Sequence, residues 1–341
     1  MADILLILHT EDGGSFSKGA LESISSAAEL SSKSSSAFAV GVIGSGAGAA
    51  ADSIAGCGAE KFCVVEDEAV AVPRYATDVK AAEALINASG ARIVLAPGTS
   101  RFMRCMPGAA FRAGAQIDTH IVSLDAEGGA VKAQRWYYRQ RILTTLSREA
   151  RPWIMLVDGG VNPAWQGEAG SAGAESVAVD FGDAAAKTTV KGIESPTVDA
   201  QTIRPDAQLL FVAGAGWTKK QSDGEYHVGD AGVLIQGFIG KAKASLGSSK
   251  SLVDLQTEGQ ETLSFMSHLN QIGQTGSTPR HAKGLSTCCH GEEPHAVGWR
   301  FINERRAINI DANCGWAQGK ADVVYVGDAF EVMEKVNALL S

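Results

Sequence analysis

No stretch of this sequence approaches the ~20 consecutive apolar residues that span a bilayer, so membrane insertion is not expected. A basic surplus is missing too. The formal net charge is −8, which argues against nucleic acid as a partner, since that binding rests on neutralised phosphates. The six cysteines are scattered apart from the adjacent Cys288 and Cys289. They form no paired framework, which favours a reducing compartment and a cytoplasmic location. The chain offers no internal repeat, no coiled-coil heptad, no P-loop, no G-x-S-x-G elbow and no convincing Ser/His/Asp set. Its opening run, MADILLILH, reads as a buried strand without a basic n-region or cleavage site, so no signal or transit peptide is expected.

What remains is a globular composition of 341 residues, 45% hydrophobic and 20% charged, long enough for two domains. In the first half, continuous apolar runs (Ile4–His9, Phe38–Ile43, Lys61–Val65, Arg92–Ala96) alternate with helical stretches (Gly19–Leu30, Ala47–Ala55, Tyr75–Ile86). That alternation predicts a mostly parallel sheet covered on both faces. Between His120 and Val161, short-turned runs predict an antiparallel or mixed extension, with strands at Ile121–Leu124, Ala130–Tyr138, Ile142–Ser147 and Trp153–Val157. The weakly patterned segment from Ala164 to Asp206 reads as strand plus linker, so the domains are placed at 1–200 and 206–341. The alternation then restarts, with strands at Leu209–Ala213, Ser251–Asp254, Gly284–Cys288, Ala307–Ile310 and Val323–Val326. Helices are expected at Ala231–Ala244, near Gly291 and at Ala329–Leu340. The fold class is therefore α/β, with two mostly parallel sheets flanked by helices.

The most informative stretch runs from Gln271 to Asp311. QIGQTG is a Gly-rich turn carrying a hydroxyl and side-chain amides. CCHGEEPH turns into a helix start with a histidine near it, and RAINID is an apolar strand ending in Asn and Asp. Glycine turns and helix N-termini offer free N–H groups to phosphate, and strand carboxyl ends are where α/β sheets place ligands. A nucleotide-like cofactor with a hydrogen-bonding ring is the expected guest.

Other features favour structural readings. Gly44-Ser45-Gly46-Ala47-Gly48 lacks the G-x-G-x-x-G spacing and the acidic residue downstream, so a tight βα turn is preferred. The hydroxyls of Pro97-Gly98-Thr99-Ser100 are explained by capping the next helix. Cys288, Cys289, His290, His281 and His295 lack zinc-ligand spacing, and no metal is expected. Lys250, by composition alone, is a solvated surface lysine.

These residues resemble the α subunit of electron transfer flavoproteins over nearly the whole chain. That family's second domain carries V-G-Q-T-G, S-G-A-I-Q-H and A-I-N-K-D. The counterparts here are Ile272-Gly273-Gln274-Thr275-Gly276, His290-Gly291-Glu292-Glu293-Pro294-His295 and Ala307-Ile308-Asn309-Ile310-Asp311, at similar separations. Leu95-Ala96-Pro97-Gly98-Thr99-Ser100 is similar to the family's L-A-P-A-T-S in its first domain.

The resemblance implies a heterodimer in which domain one packs with a β subunit and a Rossmann-like domain two holds FAD. It also implies electron transfer from a flavin-dependent dehydrogenase to a quinone oxidoreductase or iron–sulfur acceptor, rather than an enzyme with its own substrate. It assigns Gln274, Thr275 and Gly276 to the flavin's central ring and His295 to its pyrimidine carbonyl. Ser249 and Lys250 fall where the family's G-A-S-R motif puts an arginine over the isoalloxazine. His290 and Gly291 face the pyrophosphate, and Asn309, Asp311 and Asp328, with Asp322 as a further candidate, hold the ADP portion. Two departures stand out. The family's S-G-G-R-G is Ala213-Gly214-Ala215-Gly216-Trp217 here, without its arginine, for which Lys219 or Lys220 would substitute. The family's serine before the glycine is His290. They motivate an alternative reading, a nucleotide-binding scaffold subunit that has lost flavin.

Overall fold

The computed structural model describes residues 3–138, 142–192, 203–204, 207–254, 261–273, 278–287 and 301–340. It separates into two compact units, Met1–Ile193 and Glu194–Ser341.

The first unit is built on β1 (Ile4–His9), β2 (Phe38–Ile43), β3 (Lys61–Val65), β4 (Ile93–Pro97), β5 (Gln116–Glu127), β6 (Ala130–Tyr137), β7 (Ile142–Leu146), β8 (Trp153–Val157) and the short β9 (Glu175–Ser176). The strand order is β7-β6-β5-β8-β4-β1-β2-β3-β9. Pairing is parallel except where β6 joins β5 and β7. The helices are α1 (Lys18–Ser34), α2 (Ala47–Ser53), α3 (Glu68–Ala71), α4 (Tyr75–Ser89) and α5 (Ser100–Arg112). Alternation along β1 divides the core between the two faces. Leu6 and Leu8 pack with Ile24, Ala27 and Leu30 of α1, whereas Leu5 and Ile7 pack with Leu85 of α4 and with Phe102 and Met106 of α5. Burial on both faces is why these strands read as unbroken apolar runs.

The predicted extension after residue 120 is mixed. β5, β6 and β7 form antiparallel hairpins, but β8 inserts in parallel between β4 and β5. Asp118 of β5, buried, anchors this region. It accepts from Trp153 Nε1 at 2.8 Å, from Arg148 Nη2 at 2.9 Å and from Arg135 Nη1 at 3.3 Å. These bonds and charges outweigh its burial and hold its carboxyl below the usual range.

The second unit is a parallel sheet of β10 (Leu209–Ala213), β11 (Ser245–Ser248), β12 (His281–Thr287), β13 (Ile302–Asn309) and β14 (Val323–Val326), in the order β11-β10-β12-β13-β14. Its helices are α6 (Val228–Ala242), α7 (Lys250–Asp254), α8 (Gly315–Lys320) and α9 (Ala329–Leu339). α6 and α9 pack together over Phe211 and Leu246, joined by Ile235, Phe238 and Met333. Counted within the unit, the strand order is 2-1-3-4-5, a doubly wound arrangement. The α/β fold class is as expected for both units.

One element is corrected. Ser251–Asp254 is not a strand. The strand lies earlier, at Ser245–Ser248, and Lys250–Asp254 is a helix whose Leu252 N–H is capped by the Ser249 hydroxyl at 3.3 Å. β11 was hidden because Ser-Leu-Gly-Ser holds a single large apolar residue. Gly247 leaves the room into which Ile272 and Leu210 pack, and a Cβ there would stand 2.8 Å from Ile272 Cγ2. The segment read as strand plus linker contains β9 and a short 3-10 helix, Gly182–Lys187.

Candidate functional site

Open parallel sheets bind ligands beyond their carboxyl ends, at the point where strand order reverses. In the second unit that point lies between β10 and β12, and the segments leaving β10, β11, β12, β13 and β14 all emerge on this edge.

The first cluster lies at the end of β11. Ser248 and Ser249 are buried, and Ser249 N donates to Ala213 O at 2.8 Å, fixing the chain's exit. The Ser248 hydroxyl is fully buried and has no hydrogen-bond partner among the described residues. Such a group costs about 1–3 kcal/mol unless something satisfies it. Lys250 follows with 59% of its side chain exposed. Its Nζ lies 3.7 Å from Asp254 Oδ2, and His268 Nε2 lies 3.8 Å from the other oxygen.

The chain returns to this cluster more than twenty residues later. Gln271 forms an isolated parallel bridge with Ser248, and Ile272 N donates to Ser248 O at 3.1 Å. Asn270 Nδ2 donates to Leu246 O at 3.2 Å. Gly273, with a positive φ of 74°, closes the segment, its N–H held by Thr278 Oγ1 at 2.6 Å. Gln274, Thr275 and Gly276 lie outside the described residues.

The second cluster lies at the ends of β13 and β14. Asn309 is buried. Its Oδ1 accepts from Asp311 N at 3.0 Å, and its carbonyl accepts from Gly327 N at 3.0 Å. Asp328 caps α9 through Oδ1, which accepts from Phe330 N at 2.8 Å and Glu331 N at 3.3 Å. Asn309 and Asp328 line a small cleft with Gln221, Ile308, Ile310, Gly327 and Ala329. Asp311 is exposed and turns back to accept from Asn313 N at 2.8 Å. With strands about 4.8 Å apart, β11 and β13 are separated by roughly 14 Å, so a ligand touching both clusters must be extended.

The remaining sequence candidates divide clearly. His290, Gly291 and His295 lie outside the described residues. Asp322 precedes β14 and is bound by Arg305 N at 2.6 Å, which holds its carboxyl below the usual range. It therefore sits on the amino-terminal edge, away from this site. Lys220 Nζ stands 5.6 Å from the Tyr226 ring centre. His281 is buried with its ring nitrogens 2.9 Å and 2.8 Å from the carbonyls of Pro279 and Arg204. No group of three or more metal-ligating side chains is found among the described residues.

The sequence reading missed Ser248, Gln221 and Trp217. Gln221 Nε2 donates to Gly216 O at 3.0 Å and Lys219 O at 2.6 Å, which seats it at the Asn309 cleft. No local signal marked them, since Ser-Leu-Gly-Ser holds too few apolar residues to reveal the strand that positions Ser248.

The first unit has its own strand reversal, between β1 and β4. His9 ends β1, buried, with Nε2 2.8 Å from Thr99 Oγ1 and Nδ1 3.3 Å from Thr10 O. Thr99 Oγ1 also accepts from Phe102 N at 3.3 Å, capping α5. Burial, reinforced by the charge of Arg101, lowers the His9 pKa to about 4. Arg101 is locked to the fully buried Asp78 by Nη2–Oδ1 at 2.6 Å and Nε–Oδ2 at 3.1 Å, and its Nη2 also reaches Val70 O at 2.7 Å. An acidic residue does follow β3, contrary to expectation: Glu66 fills the Gly44–Gly48 turn, its two oxygens accepting from Gly46 N at 3.1 Å and Gly48 N at 3.0 Å. A carboxylate thus already takes the place that a phosphate would need.

Residues 4–185, more than half the chain and nearly all of this first unit, match the electron transfer flavoprotein domain. The chain belongs to the electron transfer flavoprotein family. The matched residues stop short of the second unit, so within this family member the clusters around Ser248 and Asn309 are read from their own geometry. No curated protein matches the chain significantly. No helix among the described residues is long and apolar enough to cross a membrane.

Proposed function

We propose that this chain is the α subunit of a heterodimeric electron transfer flavoprotein, with FAD bound along the carboxyl edge of the second unit's sheet. The observation that carries this reading is the convergence at β11. A parallel bridge brings Gln271 and Ile272 against Ser248, beside an exposed lysine and a buried hydroxyl that lacks a partner among the described residues. That combination suits the polar, hydrogen-bonding edge of a flavin ring. The Asn309–Asp328 cleft, roughly 14 Å across the sheet, suits the adenosine end.

A bound flavin supplies the redox chemistry, and the protein sets its potential and presents it to partners. In this reading Lys250 supplies positive charge beside the pyrimidine edge, partly offset by Asp254 at 3.7 Å. Ser248 and Ser249 offer hydroxyls at the ring, and Gln274, Thr275 and His295 complete its hydrogen bonds. His290 and Gly291 face the pyrophosphate, and Asn309, Asp311 and Asp328 hold the ribose and adenine. Asp328 keeps one carboxylate oxygen without a hydrogen bond among the described residues, which leaves it available to a ribose hydroxyl. The first unit packs against a β subunit. Electrons arrive from a flavin-dependent dehydrogenase and leave to a quinone oxidoreductase or an iron–sulfur acceptor, in the cytoplasm.

A second reading, a nucleotide-binding scaffold without flavin, is favoured by one observation. Where the family's second domain carries an arginine, this chain has the buried turn Ala215–Thr218. Absorbance of the purified complex separates the two. Flavin bands at one per chain support the first, and a folded, colourless complex that stays colourless after FAD is added supports the second.

A further inference from the structure

Trp217 lies in the turn that leaves β10 at the strand reversal, and no part of it is exposed. Its surroundings link several of the elements that carry proposed cofactor residues. Its indole Nε1–H donates to Thr287 Oγ1 at 2.8 Å, a bond shielded from water. Thr287 is the last residue of β12, three positions before His290, and its carbonyl accepts from Gly214 N at 2.9 Å. The indole also packs against Phe330, with ring centres 4.6 Å apart. Phe330 sits in the first turn of α9, where its own N–H is capped by Asp328. The Ala215–Thr218 turn packs against α7, the helix that begins at Lys250. Gln221, bonded back to Gly216, reaches the cleft of Asn309.

We infer that Trp217 is the positioning residue of the cofactor cleft, holding β12's exit, the Asp328 cap and the Lys250 helix at the spacing an extended dinucleotide requires. The inference rests on the FAD reading above. Its physical basis is that a large rigid ring has little freedom to lose. A buried N–H also specifies its acceptor strongly, because leaving either group unpaired is costly. The loop is thereby held by apolar packing and by hydrogen bonds, of which the indole's to Thr287 is fully buried.

The test uses the full chain, with whatever partner co-purifies, and FAD as the probe. Trp217→Phe keeps a ring against Phe330 but deletes the N–H, Thr287→Val deletes the acceptor at constant shape, and Thr287→Ser restores it. FAD dissociation constants and apo-protein melting temperatures are measured for each, and for the Trp217→Phe/Thr287→Val double variant. Trp217→Phe and Thr287→Val should each weaken FAD about tenfold, as expected for one lost buried hydrogen bond. The double variant should be no weaker than Thr287→Val alone, which removes the indole's bond together with the hydroxyl's own donation to Val212 O at 3.4 Å. Thr287→Ser should bind like the unmodified protein. Dissociation constants within twofold of the unmodified protein in both single variants, even with lowered melting temperatures, would overturn the inference and leave Trp217 as core filling. Failure of the unmodified protein to take up FAD would overturn the FAD reading and this inference with it.

Discussion

Acidification from pH 7 to pH 5 should loosen the first unit through His9. The side chain is 5% exposed, and its pKa falls from 6.5 to about 4 because burial and the Arg101 charge both disfavour the imidazolium. A base with a depressed folded pKa binds its proton in the unfolded chain first. Its contribution to stability is therefore complete above pH 6.5 and is lost as pH falls from 6.5 to 4. A difference of about 2.5 units at 1.36 kcal/mol each is worth roughly 3 kcal/mol in full, of which about 2 kcal/mol is lost by pH 5. His120 works in the opposite sense, since its hydrogen bond to Asp158 raises its pKa, but it is common to any pair of proteins that differ only at His9. Hydrogen exchange read by mass spectrometry on peptides covering β1 and β4, corrected for intrinsic rates, isolates the local opening. Protection in the unmodified protein should fall by about 30-fold more between pH 7 and pH 5 than in His9→Gln, the factor that ~2 kcal/mol implies. Equal pH slopes in the two proteins, or a His9 pKa near 6.5 by NMR titration, would show that His9 is not held neutral by its burial.

Three further predictions address other parts of the chain. Asp78→Ala leaves Arg101 buried without its carboxylate and should cost about 3–5 kcal/mol, seen as a lowered urea midpoint for the first unit; a loss under 1 kcal/mol would contradict a desolvated pair. Gly44→Ala would put a Cβ 2.1 Å from Thr10 Oγ1 at a φ of 135°, and should destabilise by about 1–3 kcal/mol or more; an unchanged melting temperature would rule out that close approach. On the FAD reading, Lys250→Ala removes a positive charge from beside the ring and should lower the first one-electron potential by about 60 mV, a tenfold change in the reduction equilibrium. The exposure of Lys250 and its Asp254 partner keep the shift from being larger, and an unchanged potential in a spectroelectrochemical titration would remove Lys250 from the site.

The strands that could be read from the sequence are those buried on both faces. β1, β2, β4, β8 and β10 are almost wholly apolar runs, and no solvent-facing alternation interrupts them. β11 was not legible because its burial comes from neighbours, Ile272 and Leu210 closing on Gly247, rather than from its own side chains. The doublet Leu252–Val253 then drew the strand assignment two turns too late, onto a helix started by the Ser249 cap. Nor could the insertion of β8 between β4 and β5 be read, since parallel pairing at that distance leaves no local signal. In the candidate site, glycines and strand-ending Asn and Asp pointed to the carboxyl edge. Ser248, Gln221 and Trp217 were silent because their roles depend on partners 23, 88 and 70 positions away: Gln271, Asn309 and Thr287.

Whether the second unit holds FAD in partnership with a β subunit is read from the visible spectrum of the co-expressed, gel-filtered complex, with flavin quantified after acid release. One FAD is expected for each copy of this chain, lost on Lys250→Ala/Asn309→Ala double substitution while the complex stays intact. A monodisperse, folded complex carrying no flavin, and taking up none when FAD is supplied, would contradict it.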